Sequence, residues 1–141
     1  MPSTFRSDVR TQLHAYNTAF KAANPTMVLA VFKARPGSLT PPCLYIAGLS
    51  EPRIVHDSGL RQRTMAPQVA LVQRLVDAEE TGDLMDDLVD AYLDYLTANP
   101  HLTAYTVIAP VSTADIELDF RGTIYSATLV TIRADIQEGR N

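Results

Sequence analysis

Apolar residues recur along this chain with two periods, and the changes of period lay out its elements. The clearest helical stretch is Asp83–Ala98, DLMDDLVDAYLDYLTA. Leu84, Leu88, Tyr92 and Tyr95 recur at steps of four, four and three, and Val89, Leu93 and Leu96 widen the stripe. Asp83, Asp87, Asp90 and Asp94 recur on the other side. Residues three and four apart are neighbours on a helix, so the spacing predicts one apolar and one acidic face. Thr81 or Asp83 is placed to cap the start, and Asn99-Pro100 ends it, because a residue before proline is pushed out of the α region. The early aspartates suit the positive end of the helix dipole. At 1.5 Å per residue such a helix is roughly 24 Å long, enough to cross a small sheet. A first helix is predicted over Ser3–Ala23: Phe5, Val9, Leu13, Tyr16 and Phe20 form its stripe, Ser3 or Thr4 its cap, and Asn24-Pro25 its stop.

Elsewhere the pattern is that of strands. Thr26–Phe32 is a nearly continuous apolar run, expected as a strand buried on both faces. Lys33–Pro42 carries three prolines and reads as a loop. Cys43–Ala47 is a second strand, Gly48–Pro52 a turn, and Arg53–His56 a short third strand. Asp57–Pro67 breaks the pattern and is expected to be a loop or an extended hairpin tip. Gln68–Ala78 suits strand or helix, and its β-branched content favours strand. Leu102–Ala109 is a strand, followed by a turn at Val111–Ala114. Asp115–Phe120 alternates strictly, with Ile116, Leu118 and Phe120 on one face and Asp115, Glu117 and Asp119 on the other. Arg121-Gly122 supplies a two-residue turn, and Thr123–Ile132 returns. The resulting register sets Phe120 against Thr123, Leu118 against Tyr125 and Ile116 against Ala127. Val130 and Ile132 fall on the nominally polar side, which implies a further covering element or a neighbouring subunit. Runs of antiparallel strands with two helices make an α+β domain: a mostly antiparallel sheet covered by two helices, with an extended loop or hairpin. One such domain is expected over residues 1–134, with a polar tail at 135–141.

Composition narrows the function classes. The hydrophobic fraction of 46% and charged fraction of 20% are those of an ordinary globule. A net charge of −4 argues against binding nucleic acid by neutralising phosphates. The single cysteine, Cys43, excludes an internal disulfide framework and suits a reducing compartment. No apolar run approaches the ~18 residues of a membrane helix, so no membrane partner is expected. The N-terminal MPSTFRSDVR is polar and is not read as a signal peptide.

The residues that could carry chemistry form no catalytic signature. His14, His56 and His101 are scattered, and nothing resembles HExxH. Cys43 sits in an apolar strand, where cysteine packs as a small hydrophobe. Asp83, Asp86, Asp87, Asp90 and Asp94 lack facing histidine or glutamate partners for a metal, and read as a solvated face or, in a ring, as a lumen face that repels DNA phosphates. Arg53, Arg61, Arg63 and Arg74 cluster loosely around the irregular loop, serving solubility or contact with an acidic patch on a neighbouring chain. No phosphate-cradling glycine pattern, GxSxG or paired-glutamate motif occurs. No cofactor, metal or enzymatic activity is expected.

Four stretches together resemble the tail terminator family of long-tailed bacteriophages. They are an opening helix running into a strand (VRTQLHAY…TMVLAVF), an arginine-bearing loop before a strand (GLRQRTMAPQVALVQ), the acidic helix with its proline stop (LMDDLVDAYLDYLTANP), and a late hairpin with an aromatic in its return strand (IELDFRGTIYSATLVTIRADI). The resemblance covers most of the chain as a layout and rests on no single motif. It implies a small mixed α/β structural protein of the virion, assembled in the host cytoplasm. Such proteins form a ring, typically of six subunits, on the head-proximal end of the tail tube. The ring stops tube growth and offers the surface that joins the head. The implied partners are further copies of the chain, the tail tube protein, a head-completion protein, and genomic DNA that passes through without specific binding. By the same resemblance Arg61 and Arg63 fall in a loop that orders on ring or tube contact, and Asp83–Asp94 is a candidate lumen or interface face. A head-completion or head–tail connector protein of similar size is the first alternative, and a small ligand-binding domain or enzyme the second.

Overall fold

The computed structural model describes residues 5–56, 61–73, 78–103 and 106–138. Helix α1 (Phe5–Ala23) leads into β1 (Ala30–Phe32), β2 (Cys43–His56) and β3 (Arg61–Gln73). Helix α2 (Ala78–Ala98) follows, then β4 (His101–Thr103), β5 (Thr106–Phe120) and β6 (Thr123–Glu138). The six strands form one curled sheet in the order β1-β2-β3-β6-β5-β4. Only β1–β2 is parallel. The fold is therefore α+β, as the pattern predicts.

Both helices lie on one face of the sheet, and their stripes explain why. Val9, Leu13, Tyr16 and Phe20 of α1 are buried, as are Met85, Leu88, Tyr92 and Leu96 of α2. They pack on Leu44, Ile46, Met65, Val69, Leu71, Ile108, Val130 and Ile132 of the sheet. The buried line of α2 runs through Met85 and Leu96, with Leu84 only half-buried at its margin. The two helices meet through aromatic rings: Phe20 stands edge-on to Tyr92 and Tyr95 at 5.1 and 5.3 Å, and Tyr16 to Tyr95 at 5.2 Å. Edge-to-face pairs of this spacing add about 0.5–1.5 kcal/mol each beyond their area burial.

The opposite face has a thinner core of Cys43, Tyr45, Ala70, Val72 and Ala127, edged by Ile116, Leu118, Tyr125 and Leu129. Here the cover is the loop 33–42, whose Leu39 packs into this cluster. Parallel neighbours need a crossover, and in β1–β2 this proline-rich loop takes the place usually held by a helix.

Several boundaries differ from those the sequence predicts. β2 is one strand from Cys43 to His56, passing straight through the expected turn at Gly48–Pro52. Two register shifts against β3 allow this, one extra residue at Ala47 and one between Ser50 and Arg53. A bulge absorbs an extra residue and shifts the alternation by one, so Ile46 before Ala47 and Leu49 after it both reach the helix-side core. Likewise β5 runs through the expected turn at Val111–Ala114, with Val111 as the extra residue opposite Ile132 and Thr131. β3 begins at Arg61 and runs through Pro67, which the ladder to β6 tolerates by skipping from Met65–Ala134 to Gln68–Thr131. β1 is only three residues long, half-buried, and at the sheet edge, so Thr26–Phe32 is not a strand buried on both sides. α2 starts at Ala78, five residues before the predicted start, which puts Thr81 and Asp83 inside it rather than at its cap. β6 continues to Glu138, so Asp135–Glu138 of the expected tail are strand. The caps Ser3 and Thr4, the segment 57–60, and residues 74–77 lie outside the described residues.

The late hairpin matches its predicted register pair for pair from Phe120–Thr123 to Ile116–Ala127. Its turn has φ of 53° at Arg121 and 84° at Gly122, the paired positive values of a type I′ turn. The polar side of this hairpin proves to be the helix side of the sheet. Val130 and Ile132 are buried there in the core that the helices cover, so their covering element belongs to the same chain.

Candidate functional site

The two margins of the sheet differ in how their backbone groups are used. On the β2 side, β1 pairs with Cys43–Tyr45, the Leu29 N–H donates to the Pro42 carbonyl at 2.8 Å, and Arg6 of α1 donates to the Leu49 carbonyl at 3.0 Å. On the β5 side, β4 pairs only as far as Val107, and the Ile108 N–H donates to the Pro100 carbonyl at 2.8 Å. Beyond Ile108, no strand among the described residues pairs with the outer side of β5.

The turn geometry says which backbone groups face out. In a two-residue hairpin the flanking pair, here Phe120 and Thr123, exchanges both backbone hydrogen bonds, and the alternation continues from there. Leu118, Ile116 and Ala114 therefore turn their backbone groups toward β6. Asp119, Glu117, Asp115 and Thr113 turn theirs outward. The Asp119 carbonyl is taken by Arg35 at 3.3 Å. That leaves Thr113, Asp115 and Glu117 presenting N–H and C=O groups at an open margin.

Side chains along this margin are exposed throughout Ala109–Asp115 and at Glu117 and Asp119. Asp115 accepts from the Thr128 hydroxyl at 2.8 Å, and Asp119 accepts the Gly122 N–H at 3.1 Å, which pins the turn. Val107, Val111 and Ile124 are 45%, 61% and 53% exposed, so three of the four large exposed hydrophobics of the described chain lie on β5 or on β6 beside its tip. Pro110 and the bulge at Val111 are the usual devices that blunt an edge strand, and both sit before Ser112. The stretch Ser112–Leu118 has neither device.

The arginines reach the other end of the sheet. Arg53 stands opposite Thr64, Arg61 opposite His56, and Arg63 opposite Ile54. On the β6 side Arg61 pairs with Glu138 and Arg63 with Ile136. The fold thus places Arg53 on β2 and Arg61 and Arg63 on β3, so Arg61 and Arg63 are in strand rather than in a loop, and Arg53, in register with Thr64, does not share their face of the sheet. Arg74 lies outside the described residues. Asp83, Asp87, Asp90 and Asp94 are all exposed on the solvent side of α2.

Other candidates for chemistry are placed as packing groups. Cys43 is fully buried, and burial pushes its thiol up to about 11 against a small opposing effect from a backbone hydrogen bond at Thr40. A thiol held so far above neutral pH is a poor nucleophile. Tyr92 donates to Asn17 Oδ1 at 2.6 Å in the buried helix–helix seam, and Tyr16 donates to the carbonyls of Asn99 at 2.7 Å and Tyr95 at 3.1 Å. Burial raises the hydroxyl pKa of both tyrosines. No group of three or more metal-ligating side chains occurs among the described residues. A cleft of about 120 Å³ lined by Thr26, Met27, Leu29, Pro42, Gln73 and Leu84 is well below the ~300 Å³ of an ordinary small-molecule site.

The open margin of β5 escapes a reading of sequence alone because Pro110 and the polar VSTA that follows imitate a turn. The available signal is the alternation itself, which extends back from Asp115 if one residue at Val111 is allowed as a bulge. No protein-family model matches this chain, and no curated protein is detectably similar to it.

Proposed function

We propose that this protein is a tail terminator, a structural protein whose copies form a ring on the head-proximal end of a bacteriophage tail tube. The ring halts tube growth and offers a docking surface to the head. The observation that carries this reading is the open β5 margin, where the outward-turned backbone of Thr113, Asp115 and Glu117 lies beside the exposed apolar side chains of Val111 and Ile124. A strand left unpaired is a template for another chain, and a protein that must assemble puts such a strand to use. The layout of helices, arginine-bearing strand and late hairpin described from the sequence supports the same reading. In such a ring the acidic side of α2 is a candidate lining, since like charge lets DNA pass without sticking.

Light scattering coupled to size-exclusion chromatography, run over a concentration series, tests the ring. A single closed multiple of the 15.5 kDa chain is expected. A monomer at every concentration, together with absence of the protein from purified virions, would sink the proposal. Immunogold labelling of particles is expected to mark the junction of tail tube and neck. Label confined to the portal end would favour a head-completion or connector role instead.

A further inference from the structure

We infer that the open β5 margin takes an extended segment of a second protein, with side chains that alternate between basic and apolar. This rests on the assembly reading above only in giving the margin a partner chain, and it names the chemistry of that chain. An added strand bonds the outward-turned backbone of Thr113, Asp115 and Glu117, which supplies affinity without regard to sequence. Specificity comes from the two rows of side chains beside the new strand, because successive residues of a strand point to opposite faces of the sheet.

The two rows differ in chemistry. Asp115 is in register with Thr128 and Glu117 with Ser126, which share the face of Val130 and Ile132, so both acids lie on the helix side. Both side chains are exposed there. Ile116 and Leu118 fall on the loop side, at the edge of its thin core, and are left half-buried. A strand laid along β5 sets every second side chain beside the acids, where lysine or arginine meets opposite charge. The side chains between them lie beside Ile116 and Leu118, where apolar residues extend the loop-side core. A copy of β5 in that place would bring acids to acids, which disfavours a symmetric pair through this edge. Nor does the chain hold a matching segment free. Basic residues stand two apart at only two places in the sequence, Lys33 with Arg35 and Arg61 with Arg63. Arg61 and Arg63 are in β3, which is paired by β2 on one side and β6 on the other. Arg35 already donates to the Asp119 carbonyl of its own hairpin. The segment that fits therefore belongs to a different protein.

Synthetic strands test this on the full chain. Peptides of about six residues match the open stretch. One alternates lysine and valine, one has the same composition with its lysines in a block, and one alternates glutamate and valine. Binding is read by fluorescence anisotropy of labelled peptide, and its place by backbone amide exchange. The alternating lysine–valine peptide is expected to bind roughly tenfold tighter than either of the others, or more. It should slow exchange at the amides of Thr113, Asp115 and Glu117, while those of Ala114 and Ile116, already turned to β6, stay as they are. Glu117→Lys changes one exposed side chain and is expected to weaken that peptide by roughly tenfold. Asp115→Lys together with Glu117→Lys should turn the preference to the glutamate–valine peptide. Equal binding of the block peptide, or protection at other amides, would overturn the inference. Protection of the same three amides in the assembled protein without peptide would show that a further copy fills the margin. That result would overturn the inference and leave the ring reading intact. A protein that stays monomeric by light scattering yet captures the alternating peptide at these amides would remove the ring and support the inference.

Discussion

The sheet has two faces, and they are covered by different means. The helix side is thick: aliphatic residues of four strands interlock with two amphipathic helices, and large rings from both helices meet in the seam. The loop side is thin, and its centre is built from small residues, Cys43, Ala70 and Ala127, beside Val72 and Tyr45. Small side chains let an irregular segment lie close enough to exclude water, where a helix would need deeper side chains to fill the layer. Near its start the loop is tied to the hairpin tip by Arg35. Arg35 sits with its guanidinium 5.0 Å over the Phe120 ring and donates to the Asp119 carbonyl. The difference teaches that stability is concentrated on the helix side, and that the loop side mainly fixes the hairpin tip against the sheet.

The sharpest way to break that comparison is to hollow out the seam. Tyr92→Ala removes a fully buried ring and leaves Asn17, itself fully buried, without the hydroxyl that bonds its Oδ1. A loss of about 3–5 kcal/mol is expected, the range for large aromatic truncations in a core. Urea denaturation checks it, with the midpoint falling and the slope unchanged. Tyr92→Phe separates the terms: it keeps the packing and should cost only the ~1–3 kcal/mol of an unsatisfied buried acceptor. Equal losses from the two variants would mean that the ring's volume contributes nothing, which the packing forbids.

A second prediction sets the two faces against each other by pH. Burial raises the hydroxyls of Tyr16 and Tyr92 on the helix side above their ordinary value of 10.0. On the loop side burial raises Tyr45, opposed by nearby Arg35, and lifts the Cys43 thiol from 9.0 to about 11. A group raised in the folded state holds its proton more tightly there than in the unfolded chain. Its contribution is complete below the unfolded pKa and is lost as pH rises through the folded one. The Cys43 contribution therefore declines between about pH 9 and 11, and the tyrosine contributions decline above about pH 10. Stability should be flat from neutral pH to about 9 with respect to these groups, then fall. Denaturation midpoints in a pH series, read beside tyrosine absorbance near the ultraviolet phenolate band, give both windows. Tyrosinate appearing at its full amplitude while the chain is still folded would contradict the burial of Tyr16 and Tyr92.

These two faces were unequally legible in the sequence. The helix side was readable because a stripe at steps of three and four has few other uses: Val9, Leu13, Tyr16 and Phe20 all became core. The late hairpin was readable because a two-residue turn with glycine fixes the register of everything it joins. The long strands were not, because bulges at Ala47, after Ser50 and at Val111 each shift the alternation, and a shifted alternation looks like a stop. Pro67 misled in the same way, since a proline within a central strand needs a local gap in the ladder that only tertiary structure reveals. Arg53, Arg61 and Arg63 stand out in the sequence by type, but their place on paired strands depends on those same hidden continuities.

The smallest expected effect belongs to the loop side, and it sharpens the comparison most. Arg35→Ala removes one cation–π contact, over the half-buried Phe120, and one exposed hydrogen bond to a backbone carbonyl. A cation–π contact near the surface is worth roughly 0.5–1 kcal/mol, so global stability should fall by no more than about 1 kcal/mol. The local consequence should be larger than that figure suggests. The Asp119 carbonyl loses the Arg35 donor, Phe120 keeps Arg121 at 5.7 Å, and the tip of the hairpin is freed from the loop. Hydrogen exchange at the backbone amides of Asp119–Thr123 is expected to quicken, while amides of Leu44 and Leu71 beneath the helices keep their protection. Arg35→Lys should recover part of the ring contact but not the planar stacking that a guanidinium offers. Quickened exchange spreading from the tip to Leu44 and Leu71 in the helix-side core would show that the loop bears on the whole fold, and would erase the distinction between the two faces.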